Sequence, residues 1–590
     1  MKGLLTYKNL IFLLFFVGSF LFFEVNYRYW YRFMEQYSLF LNTDAYFSDL
    51  LKQVGGFNEY LTTFITQFFV LPFVSSVTIA LLLTLISIVF ATYLHKIFQF
   101  STLNFQLLTL LPAFLFWLFP VESIAFILAV LTGLAAALGY ASIKKPLVRY
   151  VAGFLLITVT YLLSAPAYLP AALLMTIYEC CTTTTKKGSG YTVSLGLLAW
   201  ALVLPLVAMR TCYVIPMREA YFSRHLFHPE YALPASFWYI GCSFPMLSIG
   251  VWLLRNCRPL FRNEKLGRIA SVSFLTVVTV CIIYFGKHPL EQVYHYDWLA
   301  RNQQWDIICE HVDKHPVKDK DALVYANLAY AHTGRFNEAL LRLPQIGDEG
   351  FIPHDPVTRL GLIEASEVAW LLNHTNSAQR FAFVGVLSSQ RNVQPRLMKR
   401  LVETYLVNEE YKAAEKYMKI LEKTTFYKAD VSKWYKLLNP ETAAATPWIA
   451  EKRSLNPVTD NPYDLTKTLP DALAFLIDDH SDNKTAFEYG MGYLLLYKNL
   501  GAFIHYMEQL KETGQPLSVL YQEAICLYYN AVENNPEVFH SYPISSVVYS
   551  RFSGYLQQVR TLSPALLAQQ YGDTYYYYAQ FVQPPKMPSR

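Results

Sequence analysis

Long apolar runs separated by short polar or aromatic loops fill the first half of the chain, and amphipathic helical spacing with short breaks fills the second. A bilayer requires roughly 20 consecutive apolar residues per helix. On that measure spans are expected at 9–23, 74–94, 103–119, 121–140, 147–164, 165–178, 191–209, 236–254 and 267–285. The run at 9–23 is followed by Glu24-Val25-Asn26-Tyr27-Arg28-Tyr29-Trp30 rather than a small-residue cleavage site, so it reads as an uncleaved first span ending in an aromatic belt. Residues 61–73 carry apolar positions at Leu61, Phe64, Phe68, Phe69 and Leu71; they suit a helix lying flat at the interface, the alternative being an extension of the second span through a bend at Pro72. Gly55-Gly56 permits a tight turn into it.

Beyond Lys287 no strand-like alternation competes with the helical period. The fold expected is therefore all-α: a polytopic membrane domain of about nine helices over 1–286, tetratricopeptide-like (TPR-like) helical repeats over 287–438, an irregular connecting segment over 439–469, and further helical repeats with an aromatic tail over 470–590. The clearest repeat is ALVYANLAYAHTGRFNEALLRL at 322–343, where Tyr330 packs, Gly334 opens the turn and Ala339 admits a close helix. Residues 401–421 repeat it more loosely through Tyr405, Tyr411 and Ala414, and weaker pairs fall around 298–312, 363–386 and 489–510. Four to six hairpins stacked as a short solenoid are expected.

Charge separates the same two halves. Residues 1–286 hold 19 Lys/Arg and 10 Asp/Glu, net +9, which leaves 30 and 34, net −4, for residues 287–590. In the first half thirteen cations fall in one set of loops (Lys2, Lys8, Lys96, Lys144 and Arg258 among them) and six in the other (Arg28, Arg32, Lys52, Arg210, Arg218, Arg224). Since cytoplasmic loops collect Lys and Arg, the N-terminus is expected inside and, after nine spans, the C-terminal half outside. A total of +5 without a basic stripe argues against a nucleic-acid partner, and eight Cys without a CxxC pair imply neither a zinc site nor a disulfide scaffold.

Candidate chemistry sits in the outer loops. The first places Glu35 and Asp44 among aromatic rings, the combination with which a carbohydrate site stacks sugars and supplies a base or metal ligand; an interfacial belt with solvated acids is the alternative. Glu122 heads a helix in the short second outer turn, either as a cap or as the partner of the first-loop acids in a base or divalent-metal pair. A later outer loop gathers Arg210, Arg218, Arg224, His225 and His228, whose guanidinium forks suit a lipid-linked phosphate; phospholipid contact or pairing with Glu219 and Glu230 serves equally well. GxxxxGK[ST], GxSxG and HExxH are all missing.

This layout, with acids in a long first outer loop, an acid in the second and Arg/His in a later one, resembles the GT-C class of membrane glycosyltransferases. The resemblance implies sugar transfer from a polyprenyl-phosphate-linked donor to an outer-face acceptor, with Asp44, Glu35 and Glu122 catalytic, Arg210, Arg218, Arg224, His225 and His228 on the donor phosphate, and a tetratricopeptide tail for the acceptor. The stretches EQYSLFL, GGFNEYLTTFITQFF and GDTYYYYAQF are also similar to a family of uncharacterised bacterial envelope proteins of span-plus-repeat design. That resemblance implies an inner-membrane protein with a periplasmic C-terminal domain. The competing expectation is a non-enzymatic scaffold whose solenoid docks envelope proteins.

Overall fold

The computed structural model describes residues 7–99, 103–119, 123–165, 167–182, 189–222, 235–254, 269, 273, 276–280, 284, 286, 288–354, 356–388, 394–457, 463–511, 516–535 and 537–586. Among them there is no strand, and the fold is all-helical. Packing divides the chain into two compact units, Met1–Glu291 with Lys423–Phe426, and Gln292–Glu422 with Tyr427–Arg590.

In the first unit, α1 (Tyr7–Asn26) is followed by the short α2 (Arg28–Phe33), α3 (Asp44–Leu51) and α4 (Gly56–Thr66), then by α5 (Val74–Phe98), α6 (Leu103–Leu118), α7 (Ile124–Ser142), α8 (Pro146–Ser164), α9 (Tyr168–Thr182), α10 (Ser189–Thr211), α11 (Met217–Phe222) and α12 (Ala235–Leu254). Five described helices are long and apolar enough to cross a membrane, over Asn9–Asn26, Val74–Phe98, Ile124–Ser142, Pro146–Ser164 and Tyr191–Thr211, and Leu107–Leu118 and Phe237–Leu253 are shorter apolar helices. α5 packs between α1 and α7, and α9 lies against α7, α8, α10 and α12. A core of Tyr140, Ile157, Tyr161, Tyr168, Met175 and Leu197 ties α7 to α10.

Polarity in this unit is distributed contrary to that of a water-soluble bundle. Val77, Leu81, Leu85 and Ile88 form an exposed stripe along α5, and Val148, Val151, Leu155, Val159 and Leu162 form one along α8, while Ser75, Ser76, Ser87, Thr160 and Ser164 are buried. Ser87 Oγ donates within its own helix, to the Leu83 carbonyl at 2.9 Å, and Ser76 Oγ donates across to Glu24 of α1 at 2.7 Å. Apolar stripes of this length facing outward are compatible with a lipid surround.

α4 follows the same rule. Asn58, Thr62, Thr63 and Thr66 are buried and Phe64 is exposed, with Asn58 Nδ2 donating to the Ala125 carbonyl at 2.8 Å. Gly55 adopts φ +72°, and a Cβ on Gly56 would lie 1.8 Å from the Leu50 carbonyl oxygen, so both glycines are required by the α3–α4 turn. A 3-10 turn, Gln67–Val70, and Phe73 at φ +64° separate α4 from α5, which makes α4 a helix distinct from the span that follows.

The second unit is built of paired helices. Five helix-to-helix turns share one geometry: the first helix ends two residues before a left-handed residue, and the next begins two residues after it. The left-handed residues are Gln303, Gly334, Asn373, Glu409 and Lys498. In each, the amide one residue further on donates to the carbonyl five residues back: Gln304 to Leu299 at 2.9 Å, Arg335 to Tyr330 at 2.8 Å, His374 to Ala369 at 2.9 Å, Glu410 to Tyr405 at 2.8 Å and Asn499 to Leu494 at 2.8 Å. These are Schellman closures. Tyr330 and Ala339 beside Gly334 are both buried, and the Tyr330 hydroxyl donates to Asp313 at 2.6 Å. The segment 439–469, expected to be irregular, carries two short helices started by prolines, Pro440–Ala444 and Pro447–Ser454. The tail helix Tyr575–Phe581 buries Tyr575, Tyr576 and Tyr578 within this unit, where the Tyr578 hydroxyl donates to the Leu496 carbonyl at 2.7 Å.

Candidate functional site

Titratable groups of the first unit converge where α1 gives way to α2. Glu24, in the last turns of α1, is buried; its Oε1 accepts from Arg28 Nε at 2.5 Å and its Oε2 from Ser76 Oγ of α5 at 2.7 Å. Arg28 and Arg32 both lie over the Tyr29 ring, at 5.9 and 5.6 Å from its centroid. Glu291, still part of the same unit, brings its carboxyl onto α2, where Oε1 accepts from the Tyr29 amide at 2.7 Å and Oε2 from the Trp30 amide at 3.2 Å. His288 stacks on Trp30 at 4.7 Å.

Burial sets the protonation of this cluster. It raises Glu291 to about 8, against the opposing pull of the Tyr29 and Trp30 amides and of Arg28 and Arg32. It also lowers His288 to about 4. Near neutral pH the carboxyl therefore carries a proton and the imidazole does not, which leaves Glu291 rather than His288 placed to exchange a proton there.

Of the residues singled out from the sequence, Glu35 lies close to this cluster in the chain, in the 3-10 turn Met34–Tyr37, where it is buried and accepts from Gln36 Nε2. Asp44 is exposed in the first turn of α3, and no hydrogen bond or ion pair joins it to Glu35. Arg210 is exposed in the last turn of α10, and Arg218 is exposed in α11. Glu122, Arg224, His225 and His228 lie outside the described residues. Among the described residues no three His, Cys, Asp or Glu side chains are grouped as a metal ion would require.

Glu291 and His288 are the members that sequence reasoning missed. Glu291 bonds to amides 262 and 261 residues away and belongs to no local motif, so only its place just beyond the last expected span could have drawn notice. Arg149, another of the thirteen cations that the sequence places in one set of loops, forms instead a buried fork with Glu179, Nε to Oε1 at 2.6 Å and Nη2 to Oε2 at 3.2 Å, completed by the Tyr140 hydroxyl at 2.9 Å.

Neither the curated proteins nor the solved structures contain a match to this chain. A family model does match, over residues 4–582, and on that near-complete coverage the chain belongs to a family of unknown function (DUF6057).

Proposed function

We propose that this is a multi-pass inner-membrane protein whose C-terminal helical unit is a docking platform for other envelope proteins. The observation that carries this reading is the recurrence of one Schellman-closed turn at Gln303, Gly334, Asn373, Glu409 and Lys498. Repeated helix pairs of one geometry are what a TPR-like solenoid is made of, and such arrays serve principally as protein-binding surfaces. The outward apolar stripes of α5 and α8 support membrane embedding, and the loop cations support an inside N-terminus with the helical unit in the periplasm. The separate settings of Glu35 and Asp44, one buried and one in solvent, favour docking over catalysis by that pair. The test is cross-linking and co-purification from cells. The full chain and its Glu35→Gln and Asp44→Asn variants should retain the same partners, and a chain lacking residues 292–590 should lose them at equal abundance. Retention of all partners by the truncated chain would refute the reading.

One observation favours a second reading, sugar transfer from a polyprenyl-phosphate-linked donor. Glu291, whose carboxyl burial raises to about 8, lies beside Arg28 and Arg32, so a proton-exchanging carboxyl and cations of the kind that bind phosphate lie together. Under this reading Glu291 takes the role first assigned to Asp44, and both Glu291→Gln and deletion of the gene are expected to raise the level of lipid-linked saccharide in cells. An unchanged level in Glu291→Gln cells would exclude it.

A further inference from the structure

The solvent face of the helix Thr375–Ser388 is unlike an ordinary polar surface. Asn376, Gln379, Arg380 and Phe383, at i, i+3, i+4 and i+7, line a pocket of about 340 Å³ whose other wall is Tyr405 of the following helix, Pro395–Val407. The same face continues past the pocket as exposed Val384 and Leu387, 43% and 54% accessible, where solvent-facing positions of a helix are normally polar.

The polar atoms of the pocket are partly committed. Asn408 Nδ2 donates to both Asn376 Oδ1 and Gln379 Oε1 at 3.0 Å, so the two carbonyl oxygens are used; one Gln379 N–H is directed to the Tyr405 hydroxyl, and the Asn376 N–H groups and the second Gln379 N–H are left to donate. Arg380 is held by Asp464 through two bonds of 2.7 and 2.9 Å, which cancels its charge. Tyr405 is stacked on Tyr417 at 5.8 Å and so is fixed as a wall. The pocket thus offers hydrogen-bond donors without net charge, bordered by an apolar strip. Phosphates and acidic ligands lack an uncancelled cation here, and a saccharide would leave Val384 and Leu387 uncovered. From Asn376 to Leu387 the face runs about 16 Å at 1.5 Å per residue, the reach of roughly five residues of extended chain at about 3.3 Å each.

We propose that this face binds an uncharged extended polypeptide segment, which seats a bulky apolar side chain against Phe383 and Leu387 and presents its backbone carbonyls to Asn376 and Gln379. The site rests on the docking reading and gives it a location and a ligand chemistry.

The test is selection of a random phage-displayed dodecapeptide library on the full chain in lipid nanodiscs, after subtraction on empty nanodiscs. The result expected is a set of peptides sharing a bulky apolar residue in an uncharged stretch, bound at least tenfold more weakly by Phe383→Ser and Leu387→Ser and several-fold more weakly by Asn376→Ala. These side chains are exposed, so folding should survive, and an unchanged thermal transition checks that it does. No enrichment over empty nanodiscs, equal binding by the three variants, or binding of a neutral oligosaccharide such as maltotetraose in place of peptides would overturn the proposal. Such a failure alongside partner loss on removal of residues 292–590 would overturn this face alone and leave docking intact; failure of both tests would remove the docking reading as well.

Discussion

Glu488 accepts a 2.7 Å hydrogen bond from Asn337 Nδ2 inside the helical unit, and burial raises its carboxyl to about 7 from 4.5. Between those values the folded chain keeps a proton that the unfolded chain releases. Its contribution to stability is complete below pH 4.5 and is lost as pH rises through 7. Glu488→Gln removes this dependence and keeps a carbonyl oxygen to accept from Asn337 Nδ2. Chemical denaturation should find the variant equal to the parent at pH 4.5 and more stable by about 2–3 kcal/mol at pH 8. Glu364 makes a related case. Both its oxygens are buried with no hydrogen-bond partner, beside a network in which Arg396 joins Asp297 to Glu367, and Arg400 donates to Glu367 at 3.0 Å. Burial, with Asp321 and Asp297 adding to it, raises the Glu364 carboxyl well above its usual range, so it stays neutral and adds no charge to this network, in which Arg400 also pairs with Glu403 at 2.9 Å. Glu364→Met should stabilise the chain by about 1–3 kcal/mol, the desolvation penalty of an unpaired polar group, whereas Arg396→Ala should destabilise it by about 3–5 kcal/mol by stranding buried acids. None of these residues stands out in the sequence, because their partners lie far away in the chain. For the same reason Glu35 and Asp44 look alike as acids among aromatic residues and differ only once burial is known.

The five Schellman turns explain how much of the helical unit was legible. Gly334 and Asn373 are the residue types that tolerate left-handed backbone, and the Gly334 hairpin is the repeat that reads clearly from sequence. Gln303, Glu409 and Lys498 occupy the same conformation against their preference, so their turns carry no glycine signal and their helix pairs are visible only through amphipathic spacing. Each of Gln303→Gly, Glu409→Gly and Lys498→Gly should relieve that strain and raise stability by about 0.5–1 kcal/mol, less the added freedom of glycine in the unfolded chain. A thermal scan of the triple variant checks this, and a fall in its transition would count against the turn geometry. In the first unit the apolar character of the helices was plain. The inward polar face of α4 was not, because Asn58 and Thr63 find their partners, the Ala125 carbonyl and the Tyr46 hydroxyl, outside the helix.

At the scale of the molecule, the change of solvation near residue 286 is written in the charges, +9 before it and −4 after it. An impermeant maleimide should label Ser432→Cys, exposed in the helical unit, in cells with a permeabilised outer membrane, and should label Lys96→Cys, exposed at the end of α5, only after the inner membrane is broken. The reverse pattern would invert the topology. Function is the scale at which least was legible, since catalysis and docking differ in how a few side chains are placed rather than in composition. The most direct measurement compares cells carrying wild-type chain, no chain, the chain without residues 292–590, and the Glu35→Gln, Asp44→Asn, Glu122→Gln and Glu291→Gln variants at matched abundance, scoring envelope integrity and lipid-linked saccharides together. A docking platform predicts that the truncated chain alone reproduces the null phenotype and that all four acid variants behave as wild type. An acid variant that folds, accumulates and still reproduces the null phenotype would contradict it and establish a catalytic membrane protein instead.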